Sequence, residues 1–68
     1  MNDKVGERVK QLRQEKSLSQ QSVADVLGID RSNYSKYELG KLEINNEMLI
    51  KLAKFFGVST DYLLGLEN

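Results

Sequence analysis

The sequence predicts an all-α fold, five short helices packed into one compact bundle within 68 residues. Apolar residues recur at three- and four-residue spacings, as amphipathic helices require, and no stretch alternates as a half-buried strand would. Helix-starting residues (Ser, Asp, Asn) precede most of these stretches and Gly follows them. Proline is absent, and connections of about two to six residues suit helices that lie directly against one another.

Val5, Val9 and Leu12, at i, i+4 and i+7, place the first helix over roughly 4–16. Gly6 falls in its first turn, where fraying makes a glycine tolerable. Ser19 is a good N-cap for the second helix, which buries Val23, Ala24 and Leu27 and stops at Gly28. Asp30 caps the third, running to about Leu39 before Gly40. Asn45 or Asn46 caps the fourth, whose stripe of Leu49, Leu52, Ala53 and Phe56 ends at Gly57. Ser59 caps a short fifth helix carrying Tyr62, Leu63 and Leu64.

Composition excludes several functions. The chain has no Cys and no His, which removes disulfides, thiol chemistry and the common zinc sites. A core this small has no room for a catalytic pocket, and no paired catalytic groups are visible, so an enzyme is the weakest reading. The Glu43/Glu47 pair reads as a solvated face. No apolar run reaches the ~18 residues of a membrane span, and the N-terminus lacks a signal-peptide core, so a cytosolic protein is expected. With Met1 first, the chain reads as a gene product in its own right or as part of a longer one.

Net charge is zero, with a pI near 6.2, yet the distribution is uneven. Residues 1–41 hold eight basic groups against six acidic ones, +2, and residues 42–68 hold two against four, −2. An anionic partner would therefore meet the first part of the chain.

The segment Gln20–Glu38, QQSVADVLGIDRSNYSKYE, combines requirements that rarely coincide. Val23, Leu27, Ile29, Tyr34 and Tyr37 supply apolar anchors, and Ala24 is small where another helix crosses closely. Gly28 lies in a turn too short for side-by-side antiparallel helices, and that suits the steep crossing of a helix-turn-helix. Arg31, Ser32, Asn33, Ser35 and Lys36 form a hydrogen-bonding run. Ser and Asn are poor helix-interior choices, so stability alone does not account for them.

With VGERVKQLR, LSQQSVADVLGI, YSKYELGK and LIKLAKFFGVSTDYLL, the chain resembles the Cro/C1-repressor-type (XRE-like) helix-turn-helix DNA-binding proteins of phages and bacteria. The likeness runs from Val5 to about Gly65, with the helix-turn-helix at about 19–39 in a single domain spanning 1–68. It implies a lambda-repressor-like bundle whose third helix enters the DNA major groove while the second crosses the backbone. Two departures stand out. Tyr34 occupies a core position where the family usually has Val or Ile, which implies a tilted groove face or an exposed hydroxyl. KLEINN lacks a proline often found after the third helix.

The resemblance also assigns roles. Arg31, Ser32, Lys36, Ser35 and Asn33 match base-contacting positions, and an Arg fork on guanine is worth about 1–3 kcal/mol of discrimination. Ser19, Gln20 and Lys41 match backbone contacts, with Gln20 also able to support a neighbouring side chain. Arg13 and Glu38 match an ion pair joining the first and third helices, which would neutralise Glu38 internally and leave a locally basic face. Ile44, Met48, Phe55 and Leu66 lie outside the main stripes and are either core edge or contacts of a symmetric dimer. The function implied is sequence-specific binding of a double-stranded DNA operator by a homodimeric transcription regulator, a repressor, with no cofactor. The alternative is a helix-turn-helix module for protein partners, such as an antitoxin or antirepressor.

Overall fold

The computed structural model describes residues 3–66, all of whose regular structure is helical. The helices are α1 (Asp3–Glu15), α2 (Gln20–Leu27), α3 (Arg31–Glu38), α4 (Asn46–Phe56) and α5 (Thr60–Leu64). Their boundaries follow from local chemistry. Ser19, Asp30, Asn45 and Ser59 each adopt extended backbone and accept a hydrogen bond from the amide three residues on, satisfying a donor the first helical turn leaves open. Asn45, rather than Asn46, is the α4 cap, with its Oδ1 2.9 Å from Met48 N.

Helix α1 ends without glycine. Ser17 takes the left-handed backbone at φ 57°, and Leu18 N donates to Arg13 O at 3.0 Å. The same closure follows α2, where Gly28 (φ 73°) lets Ile29 N reach Ala24 O at 3.1 Å.

Helix α3 packs against α1 and α2, while α4 packs on α2 and α5, and α5 returns to α1. Val5 and Val9 of α1, Val23, Ala24 and Leu27 of α2, the α4 stripe and Leu63 enclose the core with Tyr34 and Tyr37 of α3. The two tyrosine rings meet edge to face, centroids 6.5 Å apart. They are core aromatics, not a stacking platform for bases.

Gly6 has a different purpose from the one its position suggests. It is buried against the end of α3, and a Cβ there would lie 2.3 Å from Tyr37 O and 3.0 Å from Glu38 O. Close approach of α1 to the α3 backbone, not tolerance of fraying, is what requires glycine. No helix among the described residues is long and apolar enough to cross a membrane.

Candidate nucleic-acid interface

Helix α3 divides sharply into two faces. Tyr34, Tyr37 and Glu38 point inward and are buried. Arg31, Ser32, Asn33 and Lys36 are exposed and Ser35 is half-buried. The pairs Arg31/Ser35 and Ser32/Lys36, each four residues apart, share one side of the helix. Lys41 is exposed just beyond it. Three residues separate α2 from α3, and Gln20 at the start of α2 reaches both Arg31 and Glu38 of α3. Gln20 Oε1 accepts a long hydrogen bond from Arg31 Nη1 at 3.4 Å. The Ser19 hydroxyl caps α2 through Ser22 N at 3.1 Å and stays exposed.

Behind this face lies a closed polar network centred on Glu38. Arg13 Nε donates to Oε2 at 2.6 Å and Nη2 donates to Oε1 at 3.2 Å. Tyr34 donates its hydroxyl to Oε2 at 2.5 Å, and Gln20 Nε2 donates to Oε1 at 3.0 Å. Each carboxylate oxygen thus takes two donors, about its full capacity. The remaining arm of Arg13, Nη1, holds Leu18 O at 2.8 Å and ties the α1–α2 link into the same knot. Among the described residues no buried side-chain polar atom is left without a partner.

This arrangement decides the charge on both sides of α3. Burial works to raise the Glu38 pKa, but hydrogen bonds from Arg13, Tyr34 and Gln20, with the Arg13 charge, outweigh it and hold the carboxyl below its ordinary value. Arg13 is raised, first by its hydrogen bond to Glu38, and Tyr34 is raised, first by burial. Glu38 is therefore ionised and internally matched at neutral pH, leaving the outward face to Arg31, Lys36 and Lys41. Asp30 nearby is engaged as the α3 cap, accepting from Asn33 N at 3.4 Å.

A pH dependence follows from the lowered carboxyl. The folded form holds its proton less tightly than the unfolded chain, so the stabilisation is complete above the ordinary value of 4.5. It is lost as pH falls from there through the folded pKa. Urea unfolding between pH 7 and pH 2 is expected to show this loss. Tyr34→Phe, which removes one donor to the carboxylate, should make it smaller.

A helix-turn-helix family model matches residues 9–63. The chain belongs to the Cro/C1-type helix-turn-helix family. It is 54% identical over 59 residues to the SPbeta prophage-derived uncharacterised HTH-type transcriptional regulator YonR of Bacillus subtilis, covering 87% of this chain and 55% of that protein. It thus spans about half the length of the curated relatives it matches. Among solved structures, the P22 c2 repressor in complex with synthetic operator superposes with a TM-score of 0.84 at 30% identity, covering 93% of this chain and 96% of that one. The restriction-modification controller protein C.AhdI of Aeromonas hydrophila gives 0.80 at 33% identity, covering 90% and 92%.

As a Cro/C1-type domain the chain keeps the expected lambda-repressor-like bundle despite its two departures. Tyr34 does not expose its hydroxyl. It is completely buried, with the hydroxyl spent on Glu38. The spacing could have signalled this, because Tyr34 and Glu38 stand at i and i+4 on one helical face. The loop lacking proline is anchored by Ile44, only 5% exposed. Ile44 is consequently a core residue with no free surface for a dimer. Met48 is half-buried, whereas Phe55 and Leu66 remain 38% and 72% exposed.

Proposed function

We propose that this domain is a sequence-specific double-stranded DNA-binding transcription regulator that inserts α3 into the major groove. The observation that carries the reading is the division of α3. Its one acid facing inward, Glu38, is consumed by Arg13, Tyr34 and Gln20, while Arg31, Ser32, Asn33 and Lys36 are exposed on the opposite side. A neutral chain thereby presents a locally cationic, hydrogen-bonding helix. The resemblance to the P22 c2 repressor bound to its synthetic operator supports the same use of the surface.

In this reading Arg31 is the foremost base reader, with Ser32, Lys36, Ser35 and Asn33 beside it. Ser19, Gln20 and Lys41 contact the backbone. Two copies joined through exposed apolar groups of the α4–α5 side, such as Phe55 and Leu66, would address a palindrome with half-sites about one helical turn apart, ~34 Å. Occupying a promoter would repress it without chemistry or cofactor. Selection of bound duplexes from a random pool tests the reading, and enrichment of no motif at low salt and micromolar protein would end it.

Two substitutions separate base from backbone roles. Arg31→Ala should relax preference at one base position, by about 1–3 kcal/mol. Lys41→Ala should weaken all sequences alike and lower the log–log salt slope by about 0.9. Binding isotherms on the selected site and on its single-base variants, over a salt series, read both effects. Identical behaviour of the two variants would remove the distinction.

A further inference from the structure

Glu38 sits between two groups that bond its opposite oxygens. On one side is Tyr34, buried in the core, and on the other is Gln20, at the edge of the proposed groove face. An ionised carboxylate only accepts hydrogen bonds, so the part of the Gln20 amide facing it must be the NH2 group. That choice turns Gln20 Oε1, a pure acceptor, toward Arg31 Nη1. Reversing the amide would set two oxygens against each other at Glu38 and offer Arg31 a donor it cannot use.

The geometry points to Tyr34 as a positioning residue for Arg31: its hydroxyl pins Glu38 Oε2, leaving Oε1 to hold Gln20 in the amide orientation that aims the guanidinium. The inference rests on the reading of α3 as the groove helix. Oε2 receives only Arg13 Nε besides the tyrosine, and the Arg13 fork also bonds Oε1. Without the hydroxyl the carboxylate is still paired, but Oε2 loses its second donor and the Arg13 fork alone sets its plane. The apolar side chain the family usually carries at this position cannot supply that restraint. Gln20, held through Nε2 and engaged through Oε1, also has one amide hydrogen left for a phosphate. Positioning Arg31 and contacting the backbone are therefore compatible in one side chain.

Tyr34→Phe tests the linkage, because it keeps the ring and removes only the hydroxyl. A whole Arg–guanine contact discriminates by roughly 5- to 150-fold, and loosening it should lower preference at the Arg31 base position by about fivefold. Binding to non-specific duplex should be unchanged. Gln20→Ala, outside the core, should produce the same loss of preference together with a uniform weakening from its lost backbone contact, and adding Tyr34→Phe to it should lower preference no further. Equal losses from Tyr34→Phe in the two backgrounds, or no loss at all, would overturn the proposal, whereas a purely structural tyrosine would lower stability without this dependence on Gln20.

The free protein provides a second reading. The Gln20 side-chain amide signals, identified by their disappearance in Gln20→Ala, should shift toward those of a solvated amide in Tyr34→Phe. Unchanged signals would overturn the linkage. If the wild-type protein enriches no DNA motif, the operator reading fails, and these amide signals still decide whether Tyr34 sets the orientation of Gln20.

Discussion

Glu38→Ala is expected to lower the stability of the fold by about 3–5 kcal/mol, leaving it marginally folded or unfolded at room temperature. The Glu38 side chain is 2% exposed and that of its partner Arg13 is 13% exposed, so the substitution strands a guanidinium with little access to water. Removing one member of a buried ion pair costs about 3–5 kcal/mol. The Tyr34 hydroxyl and the Gln20 amide lose their acceptor as well. A 68-residue domain has a total stability of roughly 3–10 kcal/mol at typical per-residue values. The loss therefore matches much of the whole.

Removing an acid near the proposed groove face would by itself favour binding to an anion. Loss of the folded population outweighs that gain, so apparent affinity should fall. Far-UV circular dichroism with urea titration checks the outcome, and a cooperatively folded variant with the wild-type midpoint would sink it. The cause is stranded polar groups rather than lost attraction, since a well-packed apolar replacement of a buried pair is often neutral or stabilising. Replacing Arg13, Tyr34 and Glu38 together by Met, Phe and Leu should accordingly recover a large part of the stability that Glu38→Ala loses.

Gly6→Ala should be the second most damaging change, although helix propensity argues for the reverse. Alanine in a helix interior is favoured over glycine by about 1 kcal/mol. Here the new methyl would stand 2.3 Å from Tyr37 O and 3.0 Å from Glu38 O. Both are backbone atoms at the end of α3, and neither can rotate away as a flexible side chain could. Helix α1 would have to move off α3, loosening Val5 and Val9 in the core and stretching the Arg13–Glu38 bridge that joins the same two helices. Overpacking costs about 1–3 kcal/mol and occasionally more; against rigid backbone this close the upper end applies, so a net destabilisation of about 2 kcal/mol is expected after the propensity gain.

A melting midpoint at or above that of wild type would show that α1 can yield without cost. Gly28 offers the contrast. A Cβ there meets no atom within 4 Å, so its substitution bears only the left-handed backbone, about 1 kcal/mol. Since α1 braces α3 from behind, Gly6→Ala should also blur base preference in whatever fraction stays folded.

Much of the fold is legible from the sequence because its determinants are local. A cap is chosen by whether Ser19, Asp30, Asn45 or Ser59 can reach an amide three residues away. The turn after α2 is set by whether Gly28 can adopt positive φ. Amphipathic stripes likewise report which face of α4 is inward, and the run Arg31–Lys36 announces its surplus of polar groups before any packing is known. Within that same local logic Ser17 escapes notice, because a serine in left-handed backbone resembles an ordinary turn residue until the α1 closure is seen.

Three things were decided only when the helices came together. Whether Gly6 marks fraying or contact depends on the distance from α1 to the α3 backbone, which no spacing along the chain contains. Ile44 looked equally suited to the core edge or a dimer, and the path of its loop buried it. Tyr34 was a departure of unknown consequence until its hydroxyl, Arg13 and Gln20, drawn from three helices, converged on the Glu38 carboxylate. The sequence by itself determined five helices, their ends and a polar helix face. Tertiary structure decided which polar groups satisfy each other, because burial forces such pairings between residues as far apart in the chain as Arg13 and Glu38.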